Sequence, residues 1–114
     1  MRLRELEAVF VRYVGDDGKS MHVGDPPDVA LEQADALMFL CPKCFAENGG
    51  PRGTHRVICN RPRVPLREGT YVGPGRWEFM SSTIDDLSLV AGSSSVQLLG
   101  GCNAHFFVRN GAIE

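Results

Sequence analysis

The sequence contains no long apolar run. No segment approaches the roughly 18 to 20 consecutive apolar residues of a membrane-spanning helix, and residues 1–5 lack the apolar stretch of a signal peptide. The sequence also has no large excess of one charge, since its formal net charge is −2. Overall charge therefore does not predict nucleic-acid binding. These absences predict a cytoplasmic protein, in which four cysteines favour metal binding or free thiols over disulfides.

Sequence repeats, coiled-coil heptads and low-complexity tracts are absent as well. The 114 residues suit a single domain, residues 1–114, with a modest core of its own. The 13 glycines and 7 prolines indicate many turns between short elements. We therefore predict a mostly β fold, or a small α+β fold. In either case it is a compact antiparallel β domain with at most one short helix.

Short β-branched and aromatic segments predict the individual strands. Residues 8–14 form the first, and Asp17-Gly18 predicts a hairpin turn to a return strand at 19–23. Further strands or apolar segments lie at 37–40, 55–59, 77–79, 87–91, 96–99 and 105–109, and Asn110-Gly111 predicts a second hairpin. Asp28 is the predicted cap of a short helix over residues 29–35. The glycines and proline after residue 47 predict a loop over residues 45–54.

Two pairs of soft metal ligands stand out. Cys41-Pro42-Lys43-Cys44 and Cys102-Asn103-Ala104-His105 each separate two ligands by two residues, so both side chains of a pair can turn onto one ion. Together they predict one zinc site with a Cys3His ligand set, whose two knuckles sit at strand ends. There are two alternatives to a zinc site. The two pairs are buried thiols that occur together by chance, or two of the cysteines form a disulfide, which leaves His105 unexplained. Cys59 is either a core cysteine or a substitute for Cys102 or His105.

The role of the metal is the next question. Four protein ligands close the coordination shell, which favours structural zinc over catalytic zinc. The alternative is a zinc-dependent hydrolase with three ligands and a water, in which Glu47, Asp85 or Asp86 acts as general base. The H-E-x-x-H motif of zinc proteases and the H-x-E of zinc deaminases are both missing. The interpretation therefore leans towards a protein that is not an enzyme.

Charge is distributed unevenly despite the small net value. Residues 52–67 carry no acid and five arginines, Arg52, Arg56, Arg61, Arg63 and Arg67. Residues 16–35 carry six acids and one lysine. The arginines form a candidate contact for phosphates or an acidic protein surface, unless the two segments face each other or are solvated. His22 and His55 show no recognisable partner, and Trp77 is expected in the core rather than on a base-stacking surface.

From Cys41 onward the chain matches a recurrent pattern. Its parts are Cys41-Pro42-Lys43-Cys44, then Arg76-Trp77-Glu78-Phe79, then Ser94-Ser95-Val96, and finally a C-x-x-H-F-x-V-x-x-G block from Cys102 to Gly111. With these motifs the chain resembles a family of small, uncharacterised bacterial and bacteriophage zinc-binding proteins. It departs from the family where Ser94 replaces an expected proline and where the loop after Cys44 lacks an extra Cys-Gly.

The resemblance implies a zinc site at Cys41, Cys44, Cys102 and His105. Some family members are encoded beside ubiquitin-like conjugation enzymes and others stand alone in phage genomes, which implies a role in conflict between phage and host. Residues and resemblance together predict a small zinc-stabilised binding or adaptor domain with a protein or nucleic-acid partner.

Overall fold

The structure is a computed structural model. It describes residues 1–14, 20–24, 28–62, 77–80, 83–90, 95–97 and 104–114. Within these ranges the chain forms nine strands and one α-helix, α1, at Pro42–Asn48. The strands are β1 (Val9–Tyr13), β2 (Met21–Gly24), β3 (Ala36–Leu40), β4 (Arg56–Asn60), β5 (Glu78–Met80), β6 (Ser88–Val90), β7 (Ser95–Gln97), β8 (His105–Arg109) and β9 (Ala112–Ile113).

All strand pairs in the described ranges are antiparallel. Four strands form a sheet in the order β2-β1-β3-β4, two form the pair β5-β6, and three form the sheet β7-β8-β9. Central strand β3 is almost continuously apolar and buried, whereas the edge strand β2 has no fully buried residue. The prediction of a mostly β antiparallel fold with at most one short helix is confirmed.

The hydrophobic core joins the sheets. Two aromatic contacts show how: Phe10 of β1 stacks on Phe79 of β5 with ring centroids 6.3 Å apart, and Phe39 of β3 meets Phe106 of β8 edge-on at 5.9 Å. Both Phe10 and Phe39 are fully buried. The second contact brings the start of β8 against the strand that ends beside Cys41. Trp77 packs against this core, as predicted.

The predicted helix over residues 29–35 is wrong. The structure has a 3₁₀ helix of three residues there, Leu31–Gln33, and its N-cap is Ala30 rather than Asp28. The physical reason is that the chain joins the sheet immediately afterwards: Ala34 is already extended, and the Asp35 N–H donates to the Val11 carbonyl at 2.7 Å. A longer helix would withdraw that donor from β1.

The predicted loop over residues 45–54 is partly wrong, because α1 continues to Asn48. Its boundaries follow standard signals: Pro42 occupies the first turn, where a missing N–H costs nothing, and Gly49 ends the helix with φ of +71°. The irregular segment therefore begins at Gly49. The described residues contain no helix with the length and apolar character needed to cross a membrane.

The two predicted hairpins have different outcomes. β1 and β2 pair antiparallel, but the Asp17-Gly18 turn lies outside the described residues. At the second hairpin, Asn110 and Gly111 connect β8 to β9 with φ of +51° and +75°. Positive φ at both central residues is the geometry of the tight turn that matches strand twist. This prediction is confirmed.

Candidate metal centre

The site forms where β3, α1 and β4 meet. β3 ends at Leu40, Cys41 is the N-cap of α1, and Cys44 lies in the first turn of that helix. β4 pairs with β3 so that Leu40 is opposite Arg56. One step further along the ladder, the Cys41 N–H donates to the His55 carbonyl at 2.9 Å. The sheet register therefore places His55 directly across from Cys41.

The ligand atoms of Cys41, Cys44 and His55 all lie within 4.8 Å of one another. A tetrahedral zinc ion with Zn–S bonds of about 2.3 Å holds its sulfurs about 3.8 Å apart, so this grouping is close to the required size. Two sulfurs and an imidazole nitrogen are also the donors that zinc favours over hard cations such as magnesium. The three residues could hold a metal ion of this kind.

Burial changes steeply across the three residues. Cys41 is fully buried within the hydrophobic core, Cys44 is partly buried and packs against the core, and His55 is exposed. A metal bound here would sit at the boundary between the core and the solvent. It would connect a buried strand end, a helix and an exposed strand end through single side chains.

His55 is the member that sequence reasoning missed. The sequence interpretation left it without a partner, because no cysteine stands two residues away from it as in the two pairs. The signal that could have found it is the strand pattern. With an antiparallel partner for β3 starting near residue 56, the residue just before that strand lies beside Cys41.

The second predicted pair is only partly described. Cys102 lies outside the described residues. His105 begins β8 as an exposed residue, and its ring centroid is 5.7 Å from that of Phe107. Phe106 is buried and contacts Phe39, so strand alternation puts His105 and Phe107 on the opposite face of β8. His105 is not a member of the group of three. Ligand roles for Cys102 and His105 stay predictions.

Cys59 lies in the interior of β4, fully buried. Burial raises the pKa of the Cys59 thiol well above its usual value, because the protein interior disfavours the charged thiolate. It is not a member of the group either. Its surroundings are those of a core cysteine, one of the two alternatives that the sequence left open.

The three candidate general bases have other surroundings. Asp85 accepts a hydrogen bond from the Arg4 guanidinium at 2.9 Å, and an Asp86 oxygen accepts one from the Thr83 hydroxyl at 2.7 Å. Glu47 is exposed on α1, three residues after Cys44. No carboxylate in the described ranges belongs to the metal-ligand group. The hydrolase interpretation stays a prediction.

The structure describes three of the five candidate arginines. Arg52 is exposed in the segment before His55, and Arg56 is paired with Glu7 at 3.1 Å. Arg61 donates to the carbonyls of Leu31 and Ala34 and lies over the Phe79 ring, 4.5 Å from its centroid. These contacts give Arg61 a role inside the fold. Arg63 and Arg67 lie outside the described residues.

Comparison with known proteins does not assign the chain to a family. The chain matches no protein-family model, and searches of curated proteins and of solved structures found no match. The resemblance drawn from the cysteine and histidine motifs therefore stays a prediction, and the function must be argued from the site.

Proposed function

We propose that this chain is a small zinc-stabilised β domain that acts as a binding or adaptor module. The observation that carries the proposal is the convergence of Cys41, Cys44 and His55 within 4.8 Å. The ion's role in this proposal is structural, with a fourth protein ligand, predicted from the Cys102–His105 pair, closing the coordination shell. Its other ligands come from the end of one strand, the first turn of a helix and the start of the next strand, so a bound ion holds three elements together.

Zinc binding would also stabilise the folded chain. It adds directly to the free energy of unfolding, because the ligands are not gathered in the unfolded chain. A free zinc concentration about 1,000-fold above the dissociation constant contributes about 4 kcal/mol. For a domain of this size that is a large share of the total stability, which is typically about 5 to 15 kcal/mol.

The test is thermal unfolding with and without a chelator. We expect the wild-type chain to melt at a clearly lower temperature when the chelator is present. Cys44→Ser should melt near that lower temperature in both conditions, since a chelator cannot remove an ion that is not bound. A wild-type melt that the chelator leaves unchanged would refute the structural role of the metal.

For the partner we propose an acidic one, a phosphate backbone or an acidic protein surface, that contacts the segment from residue 52 to 67. Arg52 supports this choice because its side chain is exposed. Arg61 is unsuitable for a charge-reversal test, since its guanidinium donates to two backbone carbonyls and its loss would disturb the fold.

The matched experiment compares Arg52→Glu with Arg12→Glu. Arg12 is an exposed arginine on β1, outside the proposed contact. Both variants change the net charge equally, so overall charge affects their retention on an immobilised polyanion such as heparin to the same extent. We expect Arg52→Glu to elute at lower salt than Arg12→Glu. Equal elution would remove Arg52 from the contact.

We also propose that the module acts in the cytoplasm of a bacterial host and has a role in conflict between phage and host. The resemblance to the bacterial and bacteriophage family supports both points. A reducing cytoplasm also keeps zinc-binding cysteines from being oxidised to disulfides. The corresponding test is the plating efficiency of phage on bacteria that express the wild-type chain or Cys44→Ser. The proposal expects the two strains to differ, and equal plating would contradict it.

A further inference from the structure

The segment that joins α1 to His55 is closed by its own side chains. Asn48, the last residue of α1, donates from its side-chain amide to the Thr54 hydroxyl at 3.2 Å. The same hydroxyl donates to the Gly50 carbonyl at 2.8 Å. Thr54 immediately precedes His55 in the chain, so these bonds link the end of the cysteine-bearing helix to the histidine.

Backbone bonds complete the same loop. The Thr54 N–H donates to the Pro51 carbonyl at 3.0 Å, and the Gly50 N–H donates to the Phe45 carbonyl at 3.0 Å. Gly53 has φ of +78°, a conformation that glycine adopts at little cost. The loop is therefore a bonded turn, with Thr54 accepting one side-chain bond and donating another.

His55 is the most exposed member of the group, whereas Cys41 lies in the core and Cys44 packs against the core from α1. On one side its backbone is fixed by the bond from Cys41. On the other side the nearest fixed point is Thr54. An exposed ligand that is already in place loses less conformational freedom when it binds an ion.

We propose that Asn48 and Thr54 are positioning residues that hold His55 beside Cys41 and Cys44 before the metal binds. This inference rests on the proposed function, because it assumes that the three residues bind an ion. Neither Asn48 nor Thr54 touches the metal. They act on its affinity through the backbone that carries His55, one step further from the metal than groups that bond directly to a ligand.

The test is zinc affinity measured by competition with a chromophoric chelator. Thr54→Val keeps the side chain's shape but loses both hydroxyl bonds, and we expect it to bind zinc about tenfold more weakly, at the lower end of outer-shell effects. Thr54→Ser keeps the hydroxyl and should restore most of the affinity. Asn48→Ala removes one of the two bonds and should fall between wild type and Thr54→Val.

A matched control separates positioning from general loss of stability. Thr83→Val also removes a threonine hydroxyl bond, the one to Asp86. Thr83 is the N-cap of the 3₁₀ helix Ile84–Asp86, which bears none of the three residues. This variant should bind zinc like wild type, under conditions where circular dichroism shows all variants folded. At saturating cobalt(II), Thr54→Val should show the wild-type visible absorption band, since its ligands are unchanged.

Different results would contradict the positioning role and the zinc site itself. Wild-type affinity in Thr54→Val, or an equal loss in Thr83→Val, would overturn the positioning role alone and leave the zinc site standing. A wild-type chain that binds no zinc would overturn the proposed function, and the positioning role with it.

Discussion

His55 is the exposed member of the metal-ligand group, whereas Cys41 is fully buried. An ion bound by these residues would be reached from the solvent on the histidine side. Replacing His55 should therefore change metal binding with little effect on the core. Replacing Cys41 would disturb both metal binding and core packing, since its side chain also packs in the core.

We accordingly expect His55→Ala to weaken zinc affinity by more than about 100-fold, because losing a ligand costs more than losing an outer-shell partner. Chelator competition measures this directly. His105→Ala is the paired variant: a comparable loss would add His105 to the ligand set, as its spacing from Cys102 predicts. Wild-type affinity in His55→Ala would contradict the assignment of His55.

The buried Cys59 thiol should make the stability of the chain depend on pH. Its folded-state pKa is raised above the usual 9.0 by burial, so the fold favours the neutral thiol. The stabilising contribution is complete below pH 9.0 and is lost as the pH rises towards the raised value. Above pH 9.0, the free energy of unfolding should fall more steeply for wild type than for Cys59→Ala.

The expected difference in slope approaches about 1.4 kcal/mol per pH unit, the value for one proton. Urea unfolding from pH 7 to 10, at one fixed zinc concentration, measures it. Cys59→Ala lowers stability at neutral pH because of the lost packing, so the slopes rather than the absolute values are compared. Parallel curves for the two proteins would show that Cys59 does not titrate differently on folding.

At the scale of elements, the turn between β8 and β9 packs against the segment before β6. The Gly111 N–H donates to the Leu87 carbonyl at 2.8 Å, and the Gly111 carbonyl accepts from Leu3 at 2.9 Å. A Cβ atom built on Gly111 would overlap the backbone carbonyl of Asp85. The close approach of two backbones here requires glycine.

Gly111→Ala should therefore destabilise the chain far more than Gly49→Ala. Both glycines have similar positive φ, +75° and +71°, so the conformational cost of alanine is similar at each. Only Gly111 adds the steric clash, which is expected to cost about 1 to 3 kcal/mol more. Chemical denaturation of both variants measures the difference. Equal losses would mean that the turn relaxes away from Asp85.

The strands were predictable because each is a short β-branched or aromatic segment with turn residues beside it. β1, β4 and β8 all begin within a residue or two of their predicted positions. Helix α1 was not predicted, because the dense glycines and proline from 49 to 51 suggested that the irregular segment began earlier. Pro42 and Gly49 are in fact the start and stop signals of a helix of two turns.

The candidate site was predictable in part for a related reason. Cys41 and Cys44 form a local motif, and their spacing on the first turn of a helix brings them together. His55 comes from the next strand, so its position depends on which strands pair and in which register. Local spacing carries no information on that pairing.

At the scale of the whole molecule, the two chain ends are tied together at one place and the candidate metal centre lies at another. The Leu3 N–H donates to Gly111, and the Ile113 N–H donates to the Met1 carbonyl at 2.8 Å. The candidate centre joins β3, α1 and β4 in the middle of the chain. A common hydrophobic core connects the two regions.

The central claim is that Cys41, Cys44 and His55 bind a zinc ion on which this fold depends. Native mass spectrometry of the purified chain tests it most directly, since it reports bound metal per folded molecule. We predict one zinc ion per wild-type chain and none in the Cys44→Ser variant prepared in the same way. A wild-type chain that is folded and carries no metal, even after incubation with zinc, would contradict the claim.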